Sequence, residues 1–158
     1  MCLFPIPAMI AAACLLATPG VAFEPVAVLT GTAVAPDGDD LAFGDVRVRL
    51  RGIAAPEYRQ NRHEPGGREA TESLSAAVAG RTIVCHLDGT TAGSTRRPVG
   101  VCFADGVDLG ELQVLSGVAR DCPSFSGGIY AEAEAEARRQ GHDLSAIYPR
   151  PSYCDDGG

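Results

Sequence analysis

The segment Pro36–Glu57 reads PDGDDLAFGDVRVRLRGIAAPE. It opens on a carboxylate-rich turn, Asp37-Gly38-Asp39-Asp40, and continues through two short β-like stretches, Leu41–Phe43 and Val46–Leu50, on either side of Gly44-Asp45. Gly-Asp is a turn pair, so the spacing predicts a tight hairpin. In the second stretch arginines alternate with Val46, Val48 and Leu50. Strand side chains alternate between faces, so the apolar set is expected inward and Arg47, Arg49 and Arg51 are expected to emerge together. Three arginines beside a carboxylate turn point to an anion site.

Upstream of this segment, Val26–Val34 is β-like. Downstream, Tyr58–Gly67 is a polar, Gly-rich loop, followed by a helix over Arg68–Ala79 with Ala70, Leu74, Ala77 and Val78 on one face and Gly80 as its stop. Thr82–Leu87 and Val99–Ala104 are strand-like and flank a polar loop, Asp88–Arg97. A short helix is predicted over Leu109–Ser116, with Asp108 as cap, Glu111 at capping-box spacing and Gly117 as stop. Leu109, Leu112 and Leu115 recur at helical spacing and are expected in the core. Cys122–Gly128 reads as a loop. Tyr130–Gln140, rich in Ala, Glu and Arg, is predicted as a helix with a solvated charged face and a Glu134–Arg138 pair at i,i+4. The pattern is α+β, with five short strands and about three helices in one domain of residues 23–158. Its core spans about 26–141, and residues 142–158 form an irregular tail.

The 158 residues suffice for one buried core, and the 46% hydrophobic and 21% charged fractions are those of an ordinary globular protein. Residues 1–23 carry no charged side chain, and Ala8–Ala17 is a short apolar run ahead of Thr18-Pro19-Gly20. This reads as a secretory signal peptide over residues 1–22, too short to span a membrane, and predicts a periplasmic or secreted protein. A lipid anchor at Cys14 is the alternative reading of Ala11-Ala12-Ala13-Cys14. Export leaves four cysteines and favours disulfides, with three possible connectivities. Cys85 and Cys102 sit in consecutive strand-like runs, so a cross-strand Cys85–Cys102 bridge is natural. Cys122–Cys154 would then tie the tail across the last helix. A zinc site has no Cys-x-x-Cys spacing to support it. His63, His86 and His142 stand alone, and the Gly pairs 66–67 and 127–128 lack the setting of a phosphate loop.

Four blocks now stand in order. They are Asp37-Gly38-Asp39-Asp40; Arg49-Leu50-Arg51-Gly52-Ile53-Ala54-Ala55-Pro56-Glu57; Thr95-Arg96-Arg97-Pro98-Val99-Gly100; and Asp108-Leu109-Gly110-Glu111-Leu112-Gln113-Val114-Leu115-Ser116-Gly117. Together they resemble the staphylococcal nuclease-like (thermonuclease) family. The resemblance implies a five-stranded OB-fold β-barrel with packed helices, whose open face suits nucleic acid. It also implies metal-assisted hydrolysis of phosphodiesters in DNA or RNA; the sequence gives no oligomeric state, and a monomer is the default. By the motif match, Glu57 acts on the attacking water, and Arg49 and Arg97 hold the phosphate. Asp39, the backbone carbonyl of Ala55 and tentatively Asp40 hold a Ca²⁺, while Arg47, Arg51 and Arg96 extend the nucleic-acid contact.

Two departures accompany the match. The family's second metal Asp is Ala54 here, which removes a charged oxygen ligand and weakens the calcium site. The Tyr-Gly before the last Arg is Thr95-Arg96. The formal charge of −7 disfavours a polyanion, but its distribution is uneven: residues 1–100 hold nine Arg against ten acids, residues 101–158 four Arg against ten. A catalytically inactive OB-fold domain that binds nucleic acid, an envelope polymer or protein is therefore the alternative expectation.

Overall fold

The computed structural model describes residues 24–155, so the expected signal peptide and Cys14 lie outside the described residues. Four strands lead from the N-terminal side: β1 (Ala27–Gly31), β2 (Val34–Asp37), β3 (Asp40–Phe43) and β4 (Val46–Leu50). Three two-residue strands follow, β5 (Ile53–Ala54), β6 (Tyr58–Arg59) and β7 (Arg62–His63), then α1 (Gly67–Val78). Next come β8 (Ile83–Ala92), β9 (Arg97–Ala104), β10 (Val107–Asp108) and α2 (Leu109–Leu115). The chain ends with β11 (Arg120–Asp121), α3 (Pro123–Ser126), α4 (Ala131–Arg139) and two 3₁₀ turns, Leu144–Ala146 and Ser152–Cys154.

The fold is mixed α+β around one large sheet, with four helices and two disulfides. The sheet runs β1-β8-β9-β4-β3-β2, with β10 appended to β9. Its ladders are antiparallel except β4 with β9, which run parallel through Arg49 opposite Val99 and Leu50 opposite Gly100. The ladders draw an open path rather than a closed five-stranded barrel, and β1 and β2 lie at its two ends. Those two end strands are separated in sequence only by Thr32 and Ala33.

The Gly44-Asp45 hairpin forms as the sequence predicts, pairing Leu41 with Val48 and Asp40 with Arg49. The inward set is Leu41, Val48 and Leu50, whereas Val46 is 45% exposed because it lies at the hairpin tip, beyond the helices. Around these residues pack Leu74 and Ala70 of α1, Ile83 of β8, and Leu109 and Val114 of α2. α1 buries Ala70, Leu74, Ala77 and Val78, the face set by its periodicity. In α2 the expectation holds only in part: Leu109 is buried, but Leu115 is exposed and Gln113 takes the inward position. Asp108 caps that helix as expected, accepting from the amides of Gly110 and Glu111.

Three predicted loops hold ordered structure: Tyr58–Gly67 contains the β6–β7 hairpin, with Tyr58 opposite His63. Asp88–Arg97 is not a loop: β8 continues to Ala92, and Gly93-Ser94-Thr95-Arg96 turns directly into β9. Cross-strand pairing overrides the polar composition there, with Thr91 opposite Pro98 and Ala92 opposite Arg97. Cys122–Gly128 contains α3, started by Pro123 in its first turn and stopped by Gly127 at φ 67°. α4 also departs from a wholly solvated face. Glu134 is buried between Arg120 and Arg150 and also meets Arg138, while Glu132 and Arg139 pair outside.

Both expected disulfides are present, Cys85–Cys102 and Cys122–Cys154. Cys85 lies directly opposite Cys102 in the β8–β9 ladder. The second bridge closes a sequence separation of 32 residues and holds the tail against α3, where the Ser124 hydroxyl also donates to the Cys154 carbonyl. In the chain-entropy account such a closure contributes about 3–4 kcal/mol. Urea unfolding of a Cys122→Ser/Cys154→Ser protein is therefore expected to show a loss of that size. A loss below about 1 kcal/mol would mean that the tail is held by its other contacts alone. No helix among the described residues is long and apolar enough to cross a membrane.

Candidate functional site

The acidic turn is a buried cluster of carboxylates. β2 and β3 reverse direction through Gly38-Asp39, which places Asp37 opposite Asp40. The turn can approach α1 closely only because residue 38 is glycine: a Cβ there would lie 2.5 Å from the Ala70 Cβ and 2.9 Å from the Ala55 Cβ. Gln113, fully buried, holds the approach by donating to the carbonyls of Gly38 and Ala70 at 2.8 and 2.9 Å, and it accepts from the Ser73 hydroxyl at 2.7 Å. All three carboxylates are buried, and one oxygen of each lies within 4.8 Å of the others. Strand alternation does not separate Asp39 from Asp40, because Asp39 sits in the turn and only Asp40 in the strand.

Buried carboxylates need compensation, and arginines provide it. Arg49 reaches Asp39 at 2.5 Å and donates to the Ile53 carbonyl at 3.0 Å. Arg47 and Arg97 both pair with Asp40 Oδ2. Arg59 pairs with Asp37 at 2.7 Å and with Asp40 at 3.3 Å. Asp39 Oδ2 also accepts the Ala55 amide at 3.1 Å, and Asp37 accepts the amides of Gly38 and Tyr58, each at 3.0 Å. The arginine stripe therefore does not emerge freely: Arg47 and Arg49 fold back onto the turn, and Arg51 lies 3.4 Å from Asp88. Arg96 is exposed in the β8–β9 turn with φ 50°.

Beside Arg49 and Arg97 opens a cavity of about 610 Å³. Arg49, Glu57 and Arg97 line it together, arriving from the end of β4, the loop after β5 and the start of β9. Glu57 is half-buried, with Arg59 at 3.5 Å and Arg62 at 3.7 Å from its carboxylate, and its amide donates to Glu64 at 2.9 Å. Arg51 and Asp88 share the same cavity. Phe125 and Tyr153, from α3 and the last 3₁₀ turn, complete it.

Asp37, Arg59, Phe125 and Tyr153 join the residues that the motifs singled out. Asp37 is legible as the third carboxylate of one four-residue turn, and Arg59 as a basic residue two positions past Glu57. Nothing in sequence signals Tyr153, which the Cys122–Cys154 bridge brings in.

The donor set suits a hard divalent cation, which takes oxygen ligands. Asp40 Oδ1 is buried with no hydrogen-bond partner, an oxygen left open within the cluster. Position 54 contributes nothing to that set. Ala54 is 0% exposed, paired with Arg120 across β5–β11, and packs on the Cys122–Cys154 bridge and Tyr148.

Burial, aided by the neighbouring Asp40 and Asp37, pushes the Asp39 carboxyl up to about 6 against the opposing pull of Arg49 and the Ala55 amide. A carboxyl whose folded pKa exceeds its unfolded value stabilises the fold at low pH and loses that contribution as pH rises through the folded pKa. The Asp39 contribution, about 3 kcal/mol, is thus expected to disappear between pH 4 and 6. Comparing denaturant midpoints across that range with Asp39→Asn isolates it. Parallel slopes in the two proteins would show that Asp39 titrates normally.

No family model matches the chain. It is similar to the succinoglycan biosynthesis protein ExoI of Rhizobium meliloti (strain 1021). The two are 33% identical over 129 residues, a match that covers 77% of this chain and 66% of that protein, just under two thirds of its length.

Proposed function

We propose that the chain is an exported, thermonuclease-like phosphodiesterase on an OB-type barrel, and that it cleaves DNA or RNA. The observation that carries this is the meeting of Arg49, Glu57 and Arg97 from three separate segments in one cavity, the two arginines being paired with Asp39 and Asp40 of a buried carboxylate cluster. The barrel is supported by the position of the sheet's end strands. β1 and β2 are joined by two residues, so the path curls back on itself.

In this reading Glu57 accepts a proton from the attacking water, and its neighbours Arg59 and Arg62 orient the carboxylate. Arg49 and Arg97 present fixed guanidinium charge to the phosphoryl oxygens, where negative charge grows during the displacement. Both already have carboxylate partners, so binding phosphate exchanges or shares those pairs rather than recruiting idle side chains. Asp39, Asp37 and Asp40, with the Ala55 carbonyl, would hold calcium, which when bound adds Lewis-acid charge beside the same oxygens. Plasmid and single-stranded cleavage across a calcium, magnesium and manganese titration tests the reading. Cleavage that rises with one of these metals supports it. A folded protein that cleaves nothing at millimolar metal overturns it.

A second reading is favoured by the arginines' existing partners: a non-catalytic barrel that binds nucleic acid, an envelope polymer or protein. The likeness to a protein named for succinoglycan biosynthesis bears on the polymer. Saturable binding without turnover is its signature.

A further inference from the structure

We propose that Gln113 is a positioning residue for a divalent cation at the acidic turn: through the Gly38 carbonyl it sets the direction in which Asp37 and Asp39 present their carboxylates. This rests on the metal-binding part of the phosphodiesterase reading and adds to it a residue outside the ligand set. Gln113 is 0% exposed and shares the inward face of α2 with Leu109 and Val114, where helical periodicity calls for an apolar side chain. A buried amide is unfavourable unless its polar atoms are paired. Both amide protons of Gln113 are used, on the carbonyls of Gly38 and Ala70, and its oxygen accepts from the Ser73 hydroxyl. Backbone carbonyls can only accept, so the amide has one workable orientation.

Gly38 is what needs such a tie. A Cβ there would collide with Ala70 and Ala55, so packing leaves only glycine at the centre of the turn. Glycine also has the widest backbone freedom of any residue, and here that freedom falls between two carboxylates. An untied Gly38–Asp39 peptide can rotate and swing Asp39 away from Asp37. The Gln113 donation fixes the plane of that peptide on one side of Asp39. On the other side the Leu50 amide donates to the Asp39 carbonyl at 2.9 Å. The Asp39 backbone is thus held from both directions, while its carboxylate meets Arg49 and the Ala55 amide. Asp40 Oδ1, buried without a hydrogen-bond partner, is the observation that points to a ligand in the cluster. One oxygen alone holds no divalent cation, so oxygens of Asp37 and Asp39 must converge beside it, and one of each lies within 4.8 Å of the others. Groups that orient ligands from behind contribute strongly to metal affinity without touching the metal.

The test is a calorimetric titration of the oxidised protein with Ca²⁺, Mg²⁺ and Mn²⁺, each alone, beside a urea unfolding curve for every variant. Gln113→Leu removes both donations, and Gln113→Glu keeps the shape but can no longer donate twice. Each is expected to weaken the tightest-binding cation by about 10–100-fold, the range over which groups that orient metal ligands contribute. A carboxylate at position 113 would attract a cation by its charge, so weakening in Gln113→Glu reports the lost tie. Ser73→Ala leaves the donations to Gly38 and Ala70 in place. It is expected to lower the urea midpoint while keeping the cation affinity of the unaltered protein. Unchanged or tighter binding in the Gln113 variants, with only a lower urea midpoint, makes Gln113 a packing residue and overturns the inference, and the cation site stands. An equal loss of affinity in Ser73→Ala also overturns it, because affinity would then follow stability rather than the Gly38 tie. If Gln113→Leu does not fold, Gln113→Glu carries the test. If none of the three cations binds the unaltered protein, the metal-binding part of the phosphodiesterase reading fails and this inference falls with it.

Discussion

Glu57→Gln is expected to lower phosphodiester cleavage by about 10²–10⁴-fold, the range by which a positioned general base contributes. The substitution keeps the side chain's shape but removes its capacity to take a proton and its charge towards Arg59 and Arg62. Folding should barely change, because Glu57 is only half-buried and both arginine partners retain other carboxylates, Asp37 and Glu64. Substrate affinity should hold or improve slightly, since one negative charge leaves a cavity meant for phosphate. The loss should therefore fall on kcat rather than KM. It is measured with a single-turnover assay at saturating substrate. A drop below about tenfold would remove Glu57 from the proton-transfer step and return the catalytic assignment to the arginines alone.

Ala54→Asp, the substitution that on motif grounds would restore a metal ligand, is expected instead to destabilise the protein by at least about 3 kcal/mol. Ala54 has no solvent exposure and packs against Cys122, Cys154 and Tyr148. A carboxylate introduced there replaces a methyl group in a disulfide-lined pocket and competes for space with the anchored tail. Arg120, its partner across the β5–β11 ladder, is already engaged by Glu134. Thermal or urea unfolding measures the cost. Unchanged stability together with tighter calcium binding would mean that the pocket opens towards the acidic turn, and the weakened-metal reading would then be correct as the motif states it.

These two residues show how far sequence reached. The hairpin, α1, α2 and the Cys85–Cys102 bridge were legible because each depends on local chemistry: turn residues, 3.6-residue periodicity, an Asp cap and cysteines in facing strands; Cys122–Cys154 followed as the remaining pair. Arg49, Glu57 and Arg97 were singled out by motif alone, and their shared cavity is a tertiary fact that no periodicity states. The extension of β8 to Ala92 was hidden because Thr91 and Ala92 are held by ladder pairing rather than by burial. Glu134 looked like surface charge because nothing in its helix announces Arg120 or Arg150 on the other side. The arginine stripe looked outward-facing because alternation describes faces, not the demand of three buried carboxylates for cationic partners. Ala54, where the motif match places a metal ligand, also forms part of the seat for the tail, which no local pattern signals.

The Cys122–Cys154 bridge also sets an order in time. Arg49, Glu57 and Arg97 are all synthesised before residue 98, whereas Tyr153 lies more than fifty residues further along the chain, beside the bridge to Cys122. A nascent chain thus carries the charged residues of the cavity before Tyr153 can join them. In the phosphodiesterase proposed above, the complete cavity would arise only once that late segment is seated.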